Sequence, residues 1–335
     1  MMNKITVALD AAYPHLGIAA GHQVTFTDGL PTMDDGFAFY ISQLANLEPT
    51  IYETKYTNIN YAEMVPVNTN VPEWADSWDY ISYDAVTLGK FIGSSADDLP
   101  KVGAKANHST VKIGYAGNSF DYSLDELRKT QQLRMPIDSI KARAAFRGSQ
   151  EHCQRVAYFG DTSRGMYGLF NNPNVALDNS TLDWYDAATT GADICQDMND
   201  LITKVWIDSA NVHLPNALAL DSARYALIST TPMSATFPNK TILQYFMETN
   251  LFTTMTGQQL RIFPRLQLTA AGVGGKPRML AYELNGENLG MVNPIPFRAL
   301  APQVEGLMIE VPCEYKVSGT EWRYPFSAAY RDFTA

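Results

Sequence analysis

Cysteine, histidine and long apolar runs are all scarce in this 335-residue sequence, and each scarcity closes off a class of chemistry. The three cysteines, Cys153, Cys195 and Cys313, lie far apart with no Cys-x-x-Cys pair, so no disulfide scaffold is legible and buried free thiols are expected. His15, His22, His108, His152 and His213 are scattered, without His-x-x-x-His or Cys-x-x-His spacing, so neither a metal nor a cofactor is expected. His152 beside Cys153 makes no dyad, because consecutive helical residues point about 100° apart. No stretch approaches the ~20 uninterrupted apolar residues that span a bilayer, which excludes a membrane helix. The opening 23 residues contain one lysine, an early Asp10 and a broken apolar run rather than the apolar centre of a secretory signal. The protein is therefore expected to stay in a cytosol, where the sequons at Asn107, Asn179 and Asn239 carry no glycan meaning.

Catalytic constellations are missing as well. Asp34-Asp35 and Asp97-Asp98 are paired carboxylates in polar loops, where solvated surface charge is the ordinary state. The glycine-rich loop at 272–276 has Pro277 where a phosphate cradle needs a Ser or Thr hydroxyl, and reads as a β-turn between strands. No catalytic residue is assigned.

Hydrophobic residues make up 46% and charged residues 18%, in the range of a soluble globular chain long enough for two or more folding units. The net charge of −10 argues against a general nucleic-acid binder, but it is unevenly spread. Residues 123–159 hold seven basic side chains (Arg128, Lys129, Arg134, Lys141, Arg143, Arg147, Arg155) against four acidic ones (Asp125, Glu126, Asp138, Glu151). That is a net +3, leaving −13 for the remainder. Such a segment suits either one element facing a polyanion or a solvated helix face with pairs such as Asp138 and Lys141.

Residues 71–93 are rich in aromatic and β-branched side chains, which suits a strand. Both faces are mixed, however. Trp78, Tyr80, Val86, Leu88 and Ile92 share one with Asp84 and Lys90; Ile81, Tyr83 and Phe91 share the other with Asp79 and Thr87. A polar tip at 94–109 follows, far longer than a hairpin loop of about 2–5 residues, and the chain returns through an alternating strand at 110–122. The whole reads as a protruding two-stranded ribbon. Isolated ribbons are marginal in water, so the expected cover is another molecule, with an ordinary surface hairpin as the alternative.

The first 70 residues read as a weakly organised lead-in with one helix near 36–47. Ser123 and Glu126 form a capping box opening a long helix, kinked at Pro136 and ended by Gly160. A loop over 160–175 comes next. The most regular helix carries Ile194, Met198, Leu201, Ile202, Val205 and Trp206 on one face, capped by Thr190 with Asp193. A strand over 217–230, a helix over 241–250 and strands near 259–268 and 279–284 make up an α/β unit. Residues 307–318 alternate as a half-buried strand, and a turn at 318–320 leads into a second alternating run through Trp322, Tyr324 and Phe326. Pro312 and Pro325 favour strand edges or bulges.

Arm, ribbon, basic kinked helix, glycine-rich turn, α/β unit and closing strands, in that order, resemble the major capsid protein of tailed bacteriophages, the Hong Kong 97 type. Two segments are especially similar to one family of such proteins: VPEWADSWDYISYDAVTLGKFIGSSADDLP at 71–100 and RAAFRGSQEHCQRVAYFGDTSRGMYGLFNNPNV at 143–175. The resemblance implies an α+β fold with an N-terminal arm at 1–70 and an extended β-ribbon loop at 71–122. A peripheral domain with a long spine helix would occupy 123–189, an axial domain 190–300, and closing peripheral strands 301–335. It implies a non-enzymatic structural protein that assembles in the host bacterial cytoplasm into the pentamers and hexamers of an icosahedral virion head around double-stranded DNA.

By the same resemblance, Trp74, Trp78, Tyr80, Tyr83, Phe91 and Ile92 of the ribbon would contact a neighbouring subunit. Arg128, Lys129, Arg134, Lys141, Arg143 and Arg147 of the spine would face the DNA through sequence-independent, salt-sensitive contacts. The implied partners are further copies of the chain, cement or decoration proteins, scaffolding proteins and a portal; no membrane and no cofactor is implied. An encapsulin-type bacterial nanocompartment shell is the alternative with the same fold, distinguished by an enzyme cargo in place of DNA. Lys90, Lys101 and Lys105 lie on the ribbon, but no acceptor Asn or acid for an isopeptide cross-link can be matched to them.

Overall fold

The computed structural model describes residues 4–8, 23–27, 58–86, 103–126, 137–234 and 237–334, in two compact units divided after Thr57. In the first unit, β1 (Lys4–Ala8) and β2 (Gln23–Thr27) pair antiparallel, with Lys4 opposite Thr27 and Ala8 opposite Gln23. Their sequences, KITVA and QVTFT, are dense in β-branched residues, which favours the pleated conformation. The lead-in thus holds a hairpin that the sequence reading lacks, while the helix expected at 36–47 lies outside the described residues.

The second unit begins at Asn58, inside the stretch that the sequence reads as lead-in. Short α1 (Tyr61–Met64) and β3 (Val67–Asn68) carry Tyr61, Met64 and Val65 into the main core. The ribbon follows as β4 (Ser77–Val86) and β5 (Gly103–Ser123), with Ser77 opposite Lys112 and Val86 opposite Gly103. Residues 103–109, predicted as polar tip, are therefore strand: small residues such as Ala104 and Ala106 give up little to pairing that is carried by the backbone.

Ser123 Oγ accepts from the Glu126 amide at 3.1 Å, as the capping box predicts. The segment with Pro136 lies outside the described residues, and helix α2 (Ile137–Phe159) ends where expected, at Gly160 with φ +67°. What reads in sequence as a plain loop over 160–175 instead contains β6 (Gly160–Asp161), a 3-10 turn at Thr162–Arg164 and β7 (Met166–Tyr167), and β8 (Ala176–Asn179) follows it. Gly168 is required here, because a Cβ would come within 2.3 Å of the Tyr158 backbone.

Helix α3 (Gly191–Asp208) has the full Thr190/Asp193 capping box and buries Ile194, Met198, Leu201, Ile202 and Val205. The predicted strand at 217–230 breaks in two. Fully buried β9 (Ala217–Leu220) stops at Asp221, whose carboxylate accepts from the Arg224 amide and starts α4 (Ser222–Thr230). After β10 (Pro232–Ser234) and β11 (Phe237–Thr241), Thr241 and Gln244 cap α5 (Ile242–Thr249), and Asn250 caps α6 (Leu251–Thr256). Strands β12 (Arg261–Pro264) and β13 (Arg278–Tyr282) complete the stretch; the end of the strand predicted near 259–268 is a 3-10 turn at Leu266–Ala270.

The closing part runs through β14 (Leu289–Val292), β15 (Ile295–Ala299), β16 (Gln303–Glu305), β17 (Met308–Ser318), β18 (Glu321–Trp322) and β19 (Ala328–Asp332). Tyr324 and Phe326, predicted to continue as a strand, stay exposed, because Pro325 starts a 3-10 turn. All five residues of β19 are buried, between β13 and β8 in a mixed sheet ordered β12-β9-β13-β19-β8. A second sheet, β15-β17-β5-β4, carries the ribbon, and β16 also pairs with β17. Pro312 sits inside β17 rather than at a sheet edge. Its position falls between the stretch paired with β16 and the stretch paired with β15, so the missing N–H breaks no ladder bond.

One core lies between α2 and β17 and continues under the mixed sheet through Tyr158, Phe170, Tyr282 and Tyr330. A second gathers α3, α4 and α5 on the sheet's opposite face around Met198, Leu218, Phe246 and Met279. The last turn of β17 is buried on both faces. Tyr315 and Val317 face the main core, while Lys316 reaches the Asp76 carboxylate at 2.9 Å and Ser318 Oγ accepts from Val292 N at 2.8 Å.

Candidate assembly interface

The inner half of β5, Ile113 to Ser123, is held by β17, from Ser318 back to Met308. The outer half, Gly103 to Lys112, pairs with β4 alone among the described residues, and β4 is the sheet's edge. The ribbon is therefore anchored at its base and leaves the body as two strands.

The predicted contact residues divide along that line. Trp78 packs against Val71, Ala75, Ile113 and Val292, and the Tyr80 hydroxyl donates to Glu321 Oε1 at 3.1 Å, so both are engaged within their own chain. Burial holds the Glu321 carboxyl above its ordinary range, opposed by the Tyr80 bond and the nearby Arg323 guanidinium. Trp74 is 82% exposed, on a turn at the foot of β4. Tyr83 lies in β4, with its side chain outside the described residues, as are Phe91 and Ile92. Ile81, read in sequence only as part of a mixed face, is 57% exposed.

Other uncovered apolar side chains were not singled out by sequence. Val304 and Leu307 flank the tight β16–β17 turn at Gly306, which has φ +62°, and are 72% and 76% exposed. The alternation of 307–317 assigns Leu307 to the inner face, but the hairpin runs past the core, and the glycine before it was the available signal. Phe146 of α2 is half exposed and meets Phe297 edge-on at 5.4 Å.

The basic segment is less free than its composition implies. Lys141 Nζ bonds the Asp121 carbonyl at 2.7 Å and the Glu126 carboxylate at 3.0 Å, and Arg147 pairs with Glu151 at 2.9 Å. Arg143 is exposed. Arg128, Lys129 and Arg134 lie outside the described residues. Glu126 is brought to Lys141 by the turn after β5, and the Asp138 side chain, the partner expected from sequence, lies outside the described residues.

The glycine-rich loop already holds an anion from its own chain. Val273 N donates to Asp332 Oδ2 at 2.9 Å, and a Cβ on Gly272 would lie 2.8 Å from Asp332 Oδ1. Arg278 clamps the same carboxylate with two bonds of 2.6 and 2.9 Å. The cysteines are buried free thiols; burial pushes Cys153 and Cys195 up to about 11, away from nucleophilic use. No group of metal-ligating side chains occurs among the described residues, and no helix there is long and apolar enough to cross a membrane.

The sequence model of the family described as "Major capsid protein" matches residues 89–333. This chain belongs to the major capsid protein family. Its fold is the Hong Kong 97-type α+β fold, seen in solved capsids of low sequence identity. The capsid protein of Myoviridae phage XM1 superposes with a TM-score of 0.74 at 16% identity, covering 88% of this chain and 98% of that one. A solved chain of Mycobacterium phage Ogopogo gives 0.58 at 12%, with coverage of 88% and 98%. The capsid of the native GTA particle gives 0.60 at 11%, with 92% and 100%. No curated protein matches the chain. The family is structural rather than enzymatic: its members form capsids.

Proposed function

We propose that this capsid protein forms pentamers and hexamers of an icosahedral bacteriophage head around double-stranded DNA, with its ribbon lying over a neighbouring copy. The observation that carries this reading is the half-anchored ribbon. β4 and the outer half of β5 have only each other as strand partners among the described residues, and the exposed Ile81 lies along β4 beyond the anchored Trp78 and Tyr80. Two paired strands do not hold themselves in water, and a second copy supplies the missing surface. Covering ~1,000 Å² of apolar surface contributes on the order of 25 kcal/mol, before ordering costs of comparable size. Contacts of this heterologous kind close by symmetry into shells.

In this reading α2 is the spine helix of the peripheral domain, and residues 71–122 are the extended loop. The axial domain gathers the mixed sheet with α3, α4 and α5. It takes β8 and β19 from outside 190–300, since both pair within that sheet. Host-cytoplasmic assembly and help from scaffolding, portal and cement proteins belong to the same proposal. Electron microscopy of the purified chain tests it: closed shells of uniform diameter are expected, and a protein that stays monomeric under assembly conditions would refute it.

A further inference from the structure

Where the last turns of α2 meet the β6–β7 hairpin and β5, the surface opens into a groove of about 400 Å³ lined by His152, Arg155, Phe159, Asp161 and Thr162. A smaller recess of about 60 Å³ adjoins it, sharing His152, Val156 and Asp161 and adding Arg164. Lys112 and Arg164 converge there from β5 and the turn. A Cβ at Gly165 would sit 3.3 Å from Lys112 Nζ, and one at Gly114 would sit 3.2 Å from Arg164 Nη1, so both glycines leave room for the cations.

Three fixed positive charges thus face one carboxylate, Asp161, which is already committed to the Ser163 amide and hydroxyl and lies 3.5 Å from Arg164. Arg155 has no carboxylate in ion-pair range among the described residues, in contrast to Lys141 and Arg147 on the same helix. His152 reports the field. Burial, then the charges of Arg155 and Arg164, hold its imidazole below the usual range against the opposing pull of Asp161. Its Nδ1 lies 2.8 Å from the Tyr315 hydroxyl.

We propose that this groove is a binding site for a backbone phosphate of double-stranded DNA, with Arg155 and Arg164 as its ligands and Lys112 beside them. The proposal deepens the DNA-enclosing reading above and rests on it. The contact moves from the ion-paired middle of α2 to its unpaired end. Two guanidiniums suit the planar, bidentate recognition of phosphate. Cations confined in a groove of an otherwise acidic protein focus the field where a polyanion can approach.

The test uses the full-length, unassembled chain and a fluorescein-labelled DNA duplex, with anisotropy followed across a salt series. The doubly substituted Arg155→Ala/Arg164→Ala protein should bind more weakly at every salt concentration. The slope of log K against log salt should fall by about 2. Arg155→Lys/Arg164→Lys should keep the slope, and Lys204→Ala/Lys240→Ala, far along the chain, should leave it unchanged. Because the arginines are exposed, thermal denaturation should place all variants near the parent. Independently, the histidine NMR signal assigned by His152→Gln should titrate at higher pH when unlabelled duplex is added, and this response should vanish without the two arginines. An unchanged slope in the alanine variant overturns the site. So does a His152 signal that moves with inorganic phosphate but not with duplex, or with neither. If the variants still close into shells while the slope persists, the groove assignment alone fails; if the parent never forms shells, the shell reading fails whatever the groove binds.

Discussion

Removing the Asp332 carboxylate should be among the most damaging single changes in the molecule. The side chain is 2% exposed and accepts from Arg278 Nε, Arg278 Nη2 and the Val273 amide. Asp332→Ala would leave the Arg278 guanidinium, itself only 5% exposed, with the Phe170 carbonyl and the face of Tyr330 at 4.6 Å as company. Breaking one side of a buried ion pair costs about 3–5 kcal/mol, against a total stability of about 5–15 kcal/mol for a native domain. Urea denaturation of the unassembled chain should show the midpoint falling with little change in slope. Replacing both partners, Arg278→Met with Asp332→Leu, should recover much of the loss, because no orphaned charge remains. A single variant that loses less than about 1 kcal/mol, or a double variant no better than the single one, would refute the reasoning. The loss should also loosen the glycine-rich loop, visible as faster amide exchange at Val273.

Three further outcomes follow from the same geometry. Trp74→Ala should leave the urea midpoint within about 0.5 kcal/mol of the parent, since the side chain is exposed, yet raise the protein concentration needed for shells to form, as light scattering would register. Gly168→Ala should destabilise by about 1–3 kcal/mol or more, because the added Cβ meets the Tyr158 backbone, which cannot swing away; calorimetry would read it as a lower Tm. Glu321→Gln bears on pH. Burial raises the folded carboxyl above its unfolded value of 4.5, so the native state takes up the proton first as pH falls from neutrality, and stability rises through that window. The glutamine variant should be more stable than the parent at pH 7, still accept the Tyr80 bond, and lose that part of the pH dependence; equal pH profiles in the two proteins would contradict the assignment.

Much of this architecture can be read from residues whose physics is local. Thr190 with Asp193, Ser123 with Glu126, Gly160 in the left-handed region and the alternation of Val311, Cys313, Tyr315 and Val317 all act through neighbours within a few positions, and the structure places them as read. The antiparallel pairing of β4 with β5 was legible from β-forming composition on either side of a polar tip, not from a clean core face. What escaped depends on distant partners. The segment 328–332 gives no alternation because both of its faces are buried, so it looks like chain end rather than an interior strand. The split at Asp221 requires knowing that its carboxylate caps a helix instead of ending a strand. On the basic helix Glu126 and Glu151 sit beside Lys141 and Arg147, while Arg155 and Arg164, the latter near Asp161, come to line adjoining recesses only when the turn at Thr162–Arg164 folds back beside β5. Trp78 and Tyr80 show the same limit: an aromatic stripe marks a contact, and only the fold says whether the contact is made by the chain itself or by a second copy.

The most direct trial of that distinction is a reconstruction, by electron microscopy, of particles assembled from this chain alone. Closed shells are expected in which β4 and the outer half of β5 rest on an adjacent subunit, with Ile81 covered by that subunit. Particles in which the ribbon lies against its own subunit, or a protein that builds no shell, would contradict this expectation.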